Sequence, residues 1–249
     1  MSDSAFYEDE PLEEGLHCMD VTTGLSMLPD CSVDLVMMDG PYFISNGSNS
    51  NKEINKFRGR KLVNFGDWDL DNDPEKLRPC IEQCARIMKN GASIIVWSGW
   101  EALYPIKLMM QENGVFTKRK LLWIKKNWHP LMTGRGWANA HEEALWATKS
   151  EGWTSHTFRK VGGSADWVFG QSVIEPTARI HDCQKPTEVY YYFMKELLRP
   201  FQGQTVVEPF AGSAPAYSVA KSFGCKYYGF DKDADMVAKA RILRKMEQP

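Results

Sequence analysis

SVDLVMMDGPYF, residues 32–43, sets how the rest of the chain is read. The run from Val33 to Met38 is apolar at every position but Asp34 and does not alternate, which predicts a strand buried on both faces. It stops at Gly40-Pro41, so Asp39 and the aromatic residues Tyr42 and Phe43 fall at its carboxyl end. Open α/β sheets place ligand sites there, because strand ends give way to loops whose backbone groups are free.

Beyond this strand, residues 45–51 are only Ser, Asn and Gly and predict a loop that stays mobile without a ligand. Pro74 opens a predicted helix over 75–89 that Asn90-Gly91 ends, and Ser93 to Trp97 reads as the next strand. A helix over 101–113 follows, closed by Asn113-Gly114. Leu121 to Ile124 and Glu143 to Ala147 read as two short strands forming an antiparallel pair at one side of the sheet. From about 125 to 180 no period is sustained, and this stretch reads as an inserted recognition region. Regular structure resumes with a helix from Pro186 to Leu198 and the strand Thr205 to Glu208. A helix over 214–222, the strand Lys226 to Phe230 and a helix from Ala234 complete the chain. The alternation predicts an α/β fold with a doubly wound, mainly parallel sheet.

Composition sets the bounds. With 249 residues and 43% hydrophobic content the chain can bury one sizeable α/β core, expected over 15–249. The net charge of -2 hides two regions: residues 1–14 hold six acids and no base, leaving 30 bases against 26 acids, or +4, in the remainder. Bases cluster at Lys52, Lys56, Arg58, Arg60 and Lys61, and again at Lys118, Arg119, Lys120, Lys125 and Lys126. The six cysteines lack metal-ligand spacing and are expected reduced and mostly structural, with Cys80 and Cys84 sharing one helix face. No apolar run is long enough to cross a bilayer, and the acidic amino terminus is unlike a secretion signal, so a cytoplasmic protein without a metal site is expected.

Two turns carry chemistry. EPFAGSA, residues 208–214, lies between a predicted strand and helix, where a glycine turn lets backbone amides approach a ligand. Asp231 ends the next strand, 19 residues beyond Gly212, placed to accept hydrogen bonds from ribose hydroxyls. A nucleoside-containing cofactor fits, whereas the absence of a complete GxGxxG or a Walker lysine disfavours NAD and ATP. Asp39-Gly40-Pro41-Tyr42 offers an acceptor carboxylate, a free carbonyl and an aromatic face. An exocyclic base amine needs this set, because its lone pair is delocalised into the ring until acceptors hold its hydrogens. Tyr42 would stack on a base swung out of the duplex, with Phe43 as a wall or second platform.

Asp39-Gly40-Pro41-Tyr42 resembles the (D/N/S)PPY motif of amino-methyltransferases, and Glu208 to Ser213 resembles their DPFxGSG cofactor motif. HDCQKP at 181–186 is similar to their HPxQKP element, Asp20 precedes Asp39 by 19 residues, and FGDWD at 65–69 resembles their WD segment. RIMKNGASIIV, residues 86–96, also matches their pattern. With the catalytic tetrapeptide ahead of the cofactor motif, the arrangement resembles β-class DNA amino-methyltransferases over residues 16–245. The resemblance implies a Rossmann-like methyltransferase sheet, S-adenosylmethionine as cofactor and double-stranded DNA, with a flipped base, as partner. It implies that Asp20 meets the cofactor adenine and Asp231 its ribose, that Glu208, Phe210, Ala211, Gly212 and Ser213 form the cofactor turn, and that Lys185 approaches the methionine carboxylate. Asp in the tetrapeptide implies adenine N6 as the target; cytosine N4, an RNA base, or a weakly catalytic DNA-binding subunit are the alternatives. Three residues depart from the pattern: Gly40 replaces the first proline, Ala214 the last glycine and Asp182 the proline of HPxQKP.

Target contacts are expected from the irregular region, where Lys125, Lys126, Arg135, His141, Arg159 and Lys160 would meet phosphates or base edges. Of Trp128, Trp137, Trp153 and Trp167, two are expected to serve as local core. A homodimer is expected on the resemblance alone.

Overall fold

The computed structural model describes residues 11–43, 73–128, 136–150, 163–173, 175, 179–181 and 183–246. Residues 45–51, the WD segment at 65–69, Arg135, Trp153, Arg159, Lys160 and Asp182 lie outside them.

In chain order the elements are β1 (Gly15–Cys18), α1 (Val21–Ser26), β2 (Val33–Asp39), a 3-10 turn (Pro74–Leu77), α2 (Arg78–Ile87), β3 (Met88–Ser98) and α3 (Trp100–Glu112). There follow β4 (Phe116–Lys125), β5 (His141–Thr148), β6 (Trp167–Gly170), α4 (Thr187–Leu197), β7 (Thr205–Glu208), α5 (Pro215–Ser222), β8 (Lys226–Asp231) and α6 (Ala234–Arg244). The eight strands form one sheet in the order β1-β8-β7-β2-β3-β5-β4-β6. Only β5 opposes the rest; it lies antiparallel to both β3 and β4.

β2 shows why the apolar run does not alternate. Val36 and Met38 face a core with Leu25, Ile81 and Ile106 from α1, α2 and α3. Leu35 and Met37 face a second core with Val189, Val219 and Val237 from α4, α5 and α6. Both faces are covered, so apolar residues are favoured on both sides of the strand. Each large aliphatic side chain buried this way contributes roughly 1.5–3 kcal/mol. Asp34 is the polar exception: its Oδ2 accepts from the Thr205 backbone N–H at 2.9 Å and pairs with Lys89 Nζ at 2.7 Å, fixing the start of β7 against β2.

Three expected boundaries move. The helix predicted over 75–89 ends at Ile87; Met88 is already extended at φ -64° and ψ 133° and pairs with Val33. Local propensity favours the helix there, but the Ser32 N–H donates to the Ile87 carbonyl at 2.8 Å, and sheet pairing wins. Gly91, at φ +80°, does not end a helix but carries the irregular part of β3 between Met88 and Ser93. Finally, the recognition region holds, besides the expected strand β5, the edge strand β6, which its composition did not predict.

Chain connections leave β7 in one direction toward β8 and β1, while β2 leads toward β3. The β7–β2 boundary is therefore the crevice position expected to take a ligand, and Asp39, Glu208 and Asp231 all end their strands around it.

Candidate active site

Asp39 is the last residue of β2, opposite Trp97 in β3. The turn after it is held from both sides: Ser98 Oγ donates to the Pro41 carbonyl at 3.3 Å, and a Cβ on Gly40 would stand 3.1 Å from the Phe210 ring. Gly40 thus lets the two chemical turns touch, which supplies a physical reason for glycine where related motifs have proline. Phe43 adopts φ +56°, an uncommon conformation for a side-chain-bearing residue. It packs into the core beside α1 to α3 and does not line the cavity described below, which corrects the expectation that it walls the base.

Around Asp39 lies a buried charge network. Lys185, its side chain 2% exposed, donates to Asp39 Oδ1 at 2.5 Å and Tyr42 Oη at 2.6 Å, and stands 3.1 Å from Glu142 Oε2. Tyr42 Oη in turn donates to Glu142 Oε2 at 3.0 Å, and Lys125 pairs with Glu142 Oε1 at 2.7 Å. The Lys185 ammonium also lies 4.8 Å from the Tyr42 ring centre and 5.2 Å from that of Trp97. Two ammonium groups face two carboxylates, so the cluster is close to neutral. Burial would drive charge off each member. It raises the Asp39 carboxyl despite Lys185. At Glu142 burial is outweighed by Lys185 and Lys125 together, which hold the carboxyl down at about 2. At Lys185 burial is likewise outweighed, by Asp39 and Glu142, and the ammonium is retained.

An ammonium has three donors, and Lys185 has three oxygen partners. Lys185 was expected to approach a methionine carboxylate; it lines the cavity, and its hydrogens face Asp39, Tyr42 and Glu142. Lys125 is paired with Glu142.

The second turn is shaped by its backbone. Ala211 N–H donates to the Phe230 carbonyl at 2.9 Å, and the N–H of Gly212, at φ +49°, donates to Asp231 Oδ2 at 2.9 Å. A Cβ on Gly212 would meet nothing within 4 Å, so the turn presents an open face. Ala214 occupies the left-handed region at φ 51° and ψ 53°, where a glycine is favoured, and caps α5. Arg244 of α6 clamps the turn, donating from Nε to the Ser213 carbonyl at 2.9 Å and from Nη1 to Thr187 Oγ1 at 3.0 Å. Glu208 is wholly buried behind the turn, accepting from Ala216 N–H at 3.2 Å and Tyr227 Oη at 2.7 Å. Burial lifts its carboxyl to about 8. Glu208, expected in the cofactor turn, supports that turn from behind and is not among the residues lining the cavity described below.

Both turns line one cavity of about 300 Å³, whose wall includes Asp39, Tyr42, Lys185, Tyr190, Phe210 and Gly212. Asp20 and Asp231 are not in that wall. Asp231 ends β8 and Asp20 follows β1 by two residues, the two segments joined by the Met19 N–H to Asp231 carbonyl bond at 3.0 Å. Asp20 Oδ1 caps α1 through Thr22 and Thr23, and the Thr22 bonds hold its carboxyl below the usual range. Lys126 is exposed, and its backbone N–H donates to the Gly170 carbonyl at 3.0 Å. His141 is exposed, 3.4 Å from Glu143. Trp128, Trp137 and Trp167 are 48%, 99% and 43% exposed, so the expectation of two core tryptophans among the four fails. Sequence reading missed Glu142, Tyr190 and Arg244. Glu142 left only a weak signal, one of two adjacent acids near the start of a strand that continues with Ala144 and Leu145.

The sequence model of the DNA methylase family, N6/N4 type, matches residues 33–241, a span that holds both turns and the network between them. The chain belongs to the DNA methylase family. Among relatives, it is 27% identical over 228 residues to the Type II methyltransferase M.HinfI of Haemophilus influenzae, covering 84% of this chain and 62% of that protein. It thus spans about three-fifths of M.HinfI. It is 25% identical over 235 residues to the Type II methyltransferase M2.DpnII of Streptococcus pneumoniae, covering 87% and 84% of the two chains. Its fold matches the crystal structure of an M1.HpyAVI–SAM complex at a TM-score of 0.68, with 18% identity over 92% of this chain and 98% of that one. As a DNA methylase, the chain has its tetrapeptide turn and its glycine turn opposed across one cavity. Among the described residues, no helix is long and apolar enough to cross a membrane.

Proposed function

We propose that this DNA methylase transfers the methyl group of S-adenosylmethionine to the exocyclic N6 amine of adenine in double-stranded DNA, with the target base turned out of the helix. The observation that carries this reading is the opposition of Asp39 and the Gly212 turn across the same cavity of about 300 Å³. The site fits the cofactor: the open face of Gly212, the Asp231 carboxylate bonded to that turn and a buried hydroxyl without a partner among the described residues all suit a polar ligand. Phe210 to Ser213 would hold its methionyl part, with Asp231 and Asp20 toward its nucleoside. When bound, the cofactor supplies an electrophilic methyl sulfonium.

The chain's own residues do the rest. Asp39 and the Gly40 carbonyl accept the amine hydrogens, so the nitrogen lone pair is turned toward the methyl group. Lys185 favours the ionised, hydrogen-accepting form of Asp39 against the effect of burial. As the nitrogen gains the methyl group, whose bond to sulfur breaks with its electron pair left on the sulfur, it sheds a proton, which Asp39 Oδ would accept. Tyr42 gives the base a platform, its ring held by hydroxyl bonds to Lys185 and Glu142. Adenine is favoured over cytosine by the Asp of the tetrapeptide.

The test is incubation with labelled S-adenosylmethionine and unmodified duplex DNA, followed by digestion to nucleosides. Label in N6-methyldeoxyadenosine is expected. Label in N4-methyldeoxycytidine would reassign the base, and no transfer to any nucleic acid at saturating cofactor would overturn the reading.

A further inference from the structure

Tyr190 lies in the first turn of α4, five residues beyond Lys185, and is wholly buried. It lines the cavity shared by the two turns, yet its hydroxyl has no hydrogen-bond partner among the described residues. A buried donor left unmade is destabilising, and phenylalanine would fill the same space without that penalty. The hydroxyl therefore calls for an account that packing does not give.

The neighbouring polar groups narrow what it can meet. The three Lys185 donors are taken by Asp39, Tyr42 and Glu142. Lys125 is paired with Glu142 Oε1 at 2.7 Å and stands 5.2 Å from the Trp123 ring centre. The Gly212 N–H belongs to Asp231 and the Ala216 N–H to Glu208. Burial, with Asp39 and Glu208 nearby, keeps the Tyr190 phenol protonated and hence a donor. The one anionic group of S-adenosylmethionine is the carboxylate of its amino-acid end, and Lys185 is in no position to receive it without breaking the network around Asp39.

We propose that Tyr190 Oη donates to the methionyl carboxylate of the cofactor, taking the part that sequence resemblance gives to Lys185. The assignment rests on the cofactor reading above. It gives the two side chains separate roles, with Lys185 a positioning residue for Asp39 and Tyr42, and Tyr190 a cofactor-binding residue.

Tyr190→Phe tests this with little risk to folding, because only an unpartnered oxygen is removed. Calorimetry on the full chain would compare S-adenosylhomocysteine with its analogue lacking the carboxylate. Tyr190→Phe is expected to weaken S-adenosylhomocysteine about tenfold to a hundredfold, the worth of a hydrogen bond to a charged group. It should leave the decarboxylated analogue unchanged and melt no lower than the parent. Equal loss for both ligands, no loss for either, or a lower melting temperature with unchanged affinity would each overturn the proposal. If the parent chain binds S-adenosylhomocysteine and the variant binds it as well, Tyr190 is misassigned while the cofactor reading stands. If the parent binds neither S-adenosylmethionine nor S-adenosylhomocysteine, the cofactor reading fails and takes this proposal with it.

Discussion

The two halves of the site are built from different materials. The half formed by β1, β8 and β7 is shaped by backbone: a positive-φ turn, amides turned onto Asp231 and the Phe230 carbonyl, and a clamp by Arg244 on the Ser213 carbonyl. The half formed by β2, β3, β5 and β4 is shaped by side chains, through the Lys125–Glu142–Lys185–Asp39 network. A backbone turn binds by geometry and tolerates many side chains. A buried charge network binds by mutual compensation, so each member is conditional on the others. The second half should therefore be the more fragile to substitution and the more sensitive to pH.

The largest effect is expected from Asp39→Ala, which removes the acceptor itself. Methyl transfer should fall on the order of a thousandfold or more while DNA binding in a gel-shift assay is largely spared. Lys185→Met comes next. It leaves Asp39 and Glu142 buried beside one lysine fewer, so stability should drop by about 3–5 kcal/mol in denaturant unfolding. It also raises the Asp39 carboxyl further, because the opposing charge is gone, so the acid limb of the kcat/KM profile should move to higher pH. An unmoved acid limb would mean that Lys185 does not govern Asp39.

Glu208→Gln probes the backbone half. The folded carboxyl, raised to about 8, keeps a proton that the unfolded one releases near 4.5. Its contribution to stability is thus full below 4.5 and declines as pH rises to about 8. The glutamine variant should show a flatter stability profile across that interval, read by melting at each pH. The smallest effect is expected from Ala214→Gly. Relief of the left-handed conformation should stabilise by roughly 1 kcal/mol, a rise of about 2–4 °C in Tm. An unchanged or lower Tm would show that the turn is not strained at that position.

Sequence reading reached the two halves unequally for the same reason. Local backbone chemistry is written in neighbouring residues, so the glycine turn, the Asp39 turn and the Asp231 spacing were all legible. The end of α2 was misplaced by two residues because pairing between Val33 and Met88, 55 positions apart, overrides helix propensity there. Phe43 was read as a wall because it follows the tetrapeptide and Glu208 as part of the cofactor turn because it opens that motif, but neighbourhood in sequence does not say which side of a turn a side chain occupies.

Hydrophobic period and a few adjacent residues suffice to specify the doubly wound sheet, the order of its chemical turns and the acceptor Asp39. What Lys185 and Tyr190 face depends instead on the assembled sheet. Glu142 lies 100 positions from Tyr42 and reaches it through β5, a strand that enters the sheet between β3 and β4. Its arrival gives the Lys185 ammonium its third oxygen partner, while the Tyr190 hydroxyl has no partner among the described residues. Hydrogen-bond capacity is shared out among groups that meet only when the sheet has formed.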